Sequence, residues 1–143
     1  KNLDPEFAKG AKDAGSGIIL GGKNYGQGSS REHAALVPLY LGIRAVFAIS
    51  FARIHRSNLI NTGIIPLVFA DGKDYEYIDV YDMIIIENIR EQILKESTIK
   101  AINKTKNREI LFKLELSQRE KAIVLAGGLL NDTKERLIKN NLL

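Results

Sequence analysis

Between Gly22 and Leu36 the chain reads GKNYGQGSSREHAAL, three glycines and two adjacent serines set directly against Arg31, Glu32 and His33. So small and polar a stretch does not fill a core, and its residue types suit the recognition of an acid. A strand that closes in glycines and feeds a helix N-terminus leaves first-turn N–H groups unpaired, with the positive end of the helix dipole facing outward. Gly26 and Gly28, either side of Gln27, let the backbone turn tightly and approach a ligand. Arg31 adds a planar, permanently charged fork matched to a carboxylate or phosphate. The plainer alternative is a tight turn with a capping serine, and glycine spacing this loose does not separate the two.

The hydroxyls raise a second question. A nucleotide P-loop would read GxxxxGK[ST], and an α/β-hydrolase elbow would read GxSxG; neither is present. His33 follows Ser29 by four residues and suggests a Ser–His couple. At the start of a helix that spacing need not bring the ring to the hydroxyl, and no acid is evident to orient the imidazole. His33 therefore reads as a structural partner. Glu32 reads as a capping group, because Ser29-Ser30-Arg31-Glu32 has the Ser-x-x-Glu spacing of a capping box.

The flanking elements must hold this loop. Asp4 and Pro5 suit a helix start, limited to about two turns by Gly10 and Gly15. SGIILGG is a short apolar strand. The helix after the loop carries Ala34, Ala35, Leu36 and Leu39, closes at Gly42 and is kinked or shortened by Pro38. IRAVFAIS is a near-continuous apolar strand, as when both faces are covered. FARIHRSNLINTG predicts a second short helix ending at Gly63, and IIPLVF a third strand, with Pro66 arguing for an edge or an irregularity. Strand–helix–strand–helix–strand over ~50 residues means parallel pairing with right-handed crossovers.

The second half changes character. YEYIDVYDMIIIENI, TIKAINKT and REILFKLEL read as strands, with a short helix at REQILKE. SQREKAIVLAGGLLN begins with a second capping-box spacing, Ser117 to Glu120; its helix runs from Arg119 to about Ala126 and stops at Gly127-Gly128. DTKERLIKNN reads as a polar tail with a further helical turn. The fold class is α/β, with a parallel βαβαβ half and a strand-rich C-terminal half.

Bulk properties narrow the function further. At 143 residues, 45% hydrophobic and 27% charged, the chain fits one globular domain. The formal charge of +4 has no basic face or nucleic-acid module behind it, so no nucleic-acid partner is expected. No apolar run approaches ~18 residues, so no membrane partner is expected either. Lys1 opens the sequence with no signal-peptide pattern after it, which reads as a cut within a longer, cytoplasmic protein. The absence of cysteine excludes disulfides, a Cys nucleophile and any Cys-held zinc or iron–sulfur site within this chain. With two histidines far apart in sequence, no metal site is expected here.

Two blocks, GKNYGQGSSREHAALVPLYLG and SFARIHRSNLINTGIIPLVF, resemble the C-terminal, swivelling domain of the aconitase family, and LAGGLLN is also similar to it. The match covers roughly Gly17 to Phe69 plus Leu125 to Asn131. Small subunits of isopropylmalate isomerase share GSSREHA but typically carry a cysteine in the preceding position. Gln27, PLYLG and IHRSNLIN are more similar to aconitase or homoaconitase.

The resemblance implies a swivelling β/β/α domain spanning 1–143, truncated on its N-terminal side, since the family's TDH segment and a further substrate-binding arginine would precede Lys1. It implies a hydro-lyase interconverting citrate and isocitrate through cis-aconitate, with Ser29 as the base and Ser30 and Arg31 binding substrate carboxylate. Gly26, Gln27, Gly28, Glu32, His33 and Arg53 would support the loop. Arg53, at a strand-to-helix junction, is expected to bond nearby carbonyls rather than replace the missing arginine; His55 and Asn58 are expected to pack around the loop. The partners implied are a tricarboxylic acid and cluster-bearing aconitase domains, in the same polypeptide or a large subunit, whose cysteines hold a [4Fe–4S] cluster. This chain alone would then be inactive. The alternatives are a homoaconitase, an isopropylmalate isomerase small subunit, and a non-catalytic carboxylate-binding module.

Overall fold

The computed structural model describes residues 16–28 and 33–140. The helix expected from Asp4 and the capping box of Ser29 to Glu32 lie outside the described residues. The elements are β1 (Gly17–Gly21), α1 (His33–Tyr40), β2 (Ile43–Ala48), α2 (Arg53–Asn61), β3 (Ile65–Phe69), a 3₁₀ turn (Gly72–Tyr77), β4 (Ile84–Ile85), α3 (Ile89–Lys95), β5 (Thr98–Asn103), β6 (Arg108–Lys113), α4 (Gln118–Ala126) and α5 (Leu129–Lys139).

Six strands form one mixed sheet in the order β1-β2-β3-β6-β5-β4. β1, β2 and β3 run parallel; β6 is antiparallel to both β3 and β5, and β4 is antiparallel to β5. The expected parallel βαβαβ half and strand-rich second half are both present. β2 is buried on both faces. Val46 packs with Ala35, Leu59 and Ile64 on the side of α1 and α2, while Ala45 and Phe47 face Leu67, Phe69, Phe112 and Ile123. In β5 and β6 only one face is buried, with Ile99, Ala101, Ile110 and Phe112 inside and Lys100 and Glu109 paired across the outer face at 3.3 Å. The apolar run of β2 and the alternation of β5 and β6 are the sequence forms of these two burials.

One expectation, of an edge or an irregularity at Pro66, is met locally, and two need correction. β3 is an interior strand despite Pro66. Only Val68 and Phe69 pair with β6, so Pro66, opposite Val46 of β2, lies where β3 is bonded on one side alone. The missing N–H therefore costs no bond on the β6 side. The stretch from Tyr75 to Ile89 is not one strand: it holds the end of the 3₁₀ turn and the two-residue β4. Aspartates divert it. Asp71 accepts from Lys73 N at 3.0 Å, and Asp82 Oδ2 accepts from Asp79 N at 2.9 Å and from Asn103 Nδ2 at 2.7 Å. Such local bonds compete with a ladder. Finally, the polar tail is the 11-residue helix α5, anchored by buried Asp132, which accepts from Arg119 Nη1 at 2.5 Å and pairs with Arg136 at 3.1 Å.

The helix at 118–126 keeps its expected capping box and its Gly127 stop, at φ 87°. Gly127 and Gly128 also explain LAGGLLN. A Cβ on Gly63, at φ 82°, would meet the Gly127 carbonyl at 2.6 Å, and one on Gly128 would meet Asn61 O at 2.8 Å. The end of α2 and the α4–α5 junction touch backbone to backbone. Gly63→Ala should lower unfolding stability by more than about 2 kcal/mol, combining left-handed strain with a rigid backbone clash. Gly22→Ala, whose Cβ would meet nothing within 4 Å, should stay within about 1 kcal/mol. Urea-denaturation midpoints of the two variants check the contrast.

Candidate functional site

The loop of interest leaves the carboxyl end of β1 and is laced to the carboxyl end of β2. Ile49 N donates to Gly22 O at 3.2 Å, Tyr25 N to Ser50 O at 2.9 Å, and Ala52 N to Tyr25 O at 2.8 Å. Asn24 N donates to Ser50 Oγ at 2.7 Å. Tyr25 and Phe51 form an isolated parallel bridge, an extension of the β1–β2 pairing into the loop. Asn24 Nδ2 then bonds Gln27 Oε1 at 2.8 Å, which closes the turn around Gly26.

Glycine is required at that turn. Gly26 has φ 89°, and a Cβ there would overlap the ring of His55. His55, 4% exposed, lies in the first turn of α2 beneath the loop and meets the Tyr25 ring edge-on at 5.3 Å. Tyr25 in turn meets Phe51 at 6.2 Å. Gly28, φ 94°, has open space where a Cβ would be, and Gln27 and Gly28 are exposed. The described part of the loop is therefore packed underneath and open above.

Burial sets the electrostatics here. It pushes the Tyr25 phenol up and holds the His55 imidazole below the usual histidine range, in each case by disfavouring the charged form. His55 Nδ1 and Asn58 Nδ2 are buried without a hydrogen-bond partner. At the N-terminus of α2 the cap residue is Ala52, which has no side-chain oxygen to offer, and the first turn has no acidic residue.

Ser29, Ser30, Arg31 and Glu32 lie outside the described residues. Gly26, Gln27 and Gly28 lead into them from one side, and exposed His33 opens α1 on the other. Arg53 is the first residue of α2 and is exposed. Among the described residues its side chain has no hydrogen-bond or ion-pair partner, and residues 29–32 of the loop lie outside them. The role of bonding across the fold belongs instead to Arg56, one turn on. Arg56 Nη1 and Nη2 reach Glu120 Oε1 and Oε2 at 3.0 and 3.2 Å, and Nη2 also reaches Glu115 O. Foremost among the causes, the Arg56 guanidinium holds the Glu120 carboxyl below the usual range. Nothing in the motif marked Arg56, since its acceptor lies 64 residues away. Among the described residues, no group of His, Asp and Glu could hold a metal ion, and no helix is long and apolar enough to cross a membrane.

Residues 5–72 match the family model of the aconitase C-terminal domain. A putative mitochondrial aconitate hydratase of Emericella nidulans is 40% identical over 124 residues, 83% of this chain and 16% of the relative. A mitochondrial aconitate hydratase of Gracilaria gracilis is 36% identical over 133 residues, 91% of this chain and 17% of the relative. The chain thus spans about a sixth of the length of these relatives. Among solved structures, a 3-isopropylmalate dehydratase of Methanocaldococcus jannaschii superposes with a TM-score of 0.78 at 34% identity, covering 99% of this chain and 76% of that one.

The buried imidazole gives the site a pH signature. Because the folded state lowers the His55 pKa, neutral His55 contributes stability above the unfolded value of ~6.5, and that contribution is lost as pH falls below it. Between pH 7.5 and 5 the unfolding free energy of the wild type should therefore fall more steeply than that of His55→Phe. An equal fall in unfolding free energy between the two pH values in both proteins, read from urea denaturation, would show that His55 titrates alike in the folded and unfolded states.

Proposed function

The chain belongs to the aconitase family as its C-terminal, swivelling domain, and on that premise we propose that it carries the proton-abstracting half of an aconitase-type hydro-lyase site. The observation that carries this reading is the Gly26–Gly28 turn. Immediately before it Asn24 and Tyr25 are bonded to Ser50 and Ala52, just beyond the carboxyl ends of two parallel strands, and the turn runs straight into Ser29-Ser30-Arg31. Ligand sites of open parallel sheets form at that edge.

In the proposed reaction Ser29 Oγ, as alkoxide, takes the proton from the carbon beside a substrate carboxylate. The electron pair left behind forms the double bond of cis-aconitate as hydroxide leaves the neighbouring carbon; rehydration in the other sense gives isocitrate. Ser30 and Arg31 hold the carboxylate on which negative charge develops. A serine alkoxide is far too basic to persist without positive potential, which an adjacent guanidinium and a water-poor closed cleft supply. The family's [4Fe–4S] cluster supplies the Lewis acid for the departing hydroxyl. This sequence has no cysteine, so it offers no thiolate for such a cluster. The proposal assigns the cluster to other domains, of the same polypeptide or a large subunit, and the chain alone is inactive.

A second reading within the class is hydro-lyase action on 3-isopropylmalate, favoured by the likeness to the 3-isopropylmalate dehydratase. Turnover of citrate, homocitrate and 3-isopropylmalate by the assembled enzyme separates these. In that enzyme Ser29→Ala should lower kcat by at least ~10²-fold with little change in KM, since a base acts in proton transfer. A variant that keeps more than about a tenth of the wild-type rate would refute Ser29 as the base. Arg31→Lys keeps the charge but loses the two-point grip, which should cost roughly 1.5–3 kcal/mol, read in both kcat and KM. Unchanged steady-state constants would place Arg31 away from the substrate.

A further inference from the structure

The link between the 3₁₀ turn and β4 puts apolar side chains out into water. Val80 is 81% exposed, Tyr81 95% and Met83 62%. Single exposed apolar residues are ordinary, whereas three within four positions form a patch of the kind that meets a partner. Tyr81 also has φ 71°, a left-handed conformation that a bulky side chain keeps only where its surroundings impose it.

The surroundings do impose it. Asp79 N donates to Asp82 Oδ2 at 2.9 Å and Asp82 N to Asp79 O at 3.2 Å, which closes the turn. Buried Asn103 donates from Nδ2 to Asp82 Oδ2 at 2.7 Å and to Tyr77 O at 3.3 Å. Lys106 Nζ lies 2.7 Å from Asp79 Oδ2 and 3.4 Å from Asp82 Oδ2, and Met83 N donates to Thr105 Oγ1 at 2.9 Å. All of these bonds hold the turn, and none involves the Val80 or Tyr81 side chain. The aspartates are matched by Lys106 and Asn103, so the tip offers apolar surface on a rigid base.

Strand direction says what the tip faces. β6 pairs with β3 only at Val68 and Phe69, through Lys113 and Phe112. The rest of the β5–β6 hairpin therefore runs on past the carboxyl end of β3. Asn103 and Arg108 pair at its far end, and Asn103 pairs there with Ile84 of β4. The tip at residues 79–82 thus stands beyond the same end of the sheet as the turn at residues 26–28, which follows β1. Ile49 and Gly72, just past β2 and β3, adjoin between them: a Cβ on Gly72 would lie 3.7 Å from Ile49 Cγ2. Three strand spacings, roughly 15 Å across the sheet, separate β2 from β5.

We propose that Val80 and Tyr81 dock in an apolar recess on the cluster-bearing domains of the enzyme. The inference rests on the hydro-lyase reading above and adds a contact surface to it. The chain spans about a sixth of the length of its aconitate hydratase relatives, so in the proposed enzyme those domains form a body several times its size. A body that closes over the turn at 26–28 meets, on the same end of the sheet, the tip that projects beyond it.

The test is photocrosslinking in the full assembled enzyme carrying Tyr81→benzoylphenylalanine, with Val80→benzoylphenylalanine as a second reporter. Leu130→benzoylphenylalanine is the control: Leu130 is 85% exposed, but it follows Gly128, which adjoins Asn61 O near the amino end of β3. The expected result is crosslinks mapped by mass spectrometry to the cluster-bearing domains, at a yield at least about fivefold above that from position 130. Crosslinks confined to this domain, in the same or a second copy, or a yield no higher than from position 130, would overturn the proposal and leave the hydro-lyase reading standing. If the wild-type assembly turns over none of the acids, that reading fails instead, and the crosslinked positions, which need no turnover, still decide the docking surface.

Discussion

Helix α2 is held between two backbone contacts that only glycine permits. At its first turn Gly26 lies against the His55 ring, and beyond its last turn Gly63 lies against the Gly127 carbonyl. Between them the Arg56 fork binds Glu120 through both oxygens, while Glu120 also accepts from Ser117 N at 2.8 Å as part of the α4 cap. One carboxylate thus serves a helix cap and an inter-helix clamp at once. Three independent restraints leave α2 little freedom to slide or rotate, and the loop bonded to its first turn inherits that precision. Catalytic geometry tolerates only sub-ångström errors, so a base of the kind proposed for Ser29 needs a loop held by a rigid element. Here the loop borrows the rigidity of a helix.

The sheet explains why the helix can be held so firmly. Its parallel half is covered by α1 and α2 on one face and by the ring cluster on the other; its antiparallel half supplies that second cover. Phe112 of β6 meets Phe47 at 4.3 Å and Phe69 at 4.8 Å, although β6 and β3 share only two paired positions. Packing more than hydrogen bonding joins the halves at this seam. Aromatic side chains bury large areas, and deleting one from a core costs about 3–5 kcal/mol. The end of β1 and β2 that carries the loop is sealed by Tyr25 and Phe51, which pack against the cluster of Ala35, Val46, Leu59 and Ile64.

Sequence patterns revealed the elements whose signal is local. The capping box at Ser117, the glycine stops at Gly42, Gly63 and Gly127, and the apolar run of β2 each depend on residues within a few positions of one another. Two misreadings have the opposite character. Tyr75 to Ile89 is rich in β-formers, yet Asp82 bonds both Asp79 N and Asn103 across the sheet, and the second of those partners is invisible to a local window. The polar tail gains its helix from Asp132, whose burial depends on Arg119 in the preceding helix. Arg53 and Arg56 show the same limit at the site. Both lie in one motif and one helix, and only the structure shows that the clamp is Arg56.

The exposed Arg53 at the start of α2 bears on how the proposed site assembles. A guanidinium at an uncapped helix start, beside an exposed turn at Gln27 and Gly28, holds positive potential where water still screens it. Stabilising an alkoxide demands that the screening be removed, because the same charges interact far more strongly in a water-poor cleft. A domain that carried base, cations and Lewis acid in one closed pocket would bury these charges permanently and bear their desolvation cost in the resting state. Dividing the proposed site between this domain and a partner would avoid that: the cations would stay solvated while the cleft is open, and the substrate's carboxylates would neutralise them as it closes. In the proposed enzyme, binding a polycarboxylic acid and completing the catalytic site are therefore one event, with the anionic substrate itself bridging the two surfaces.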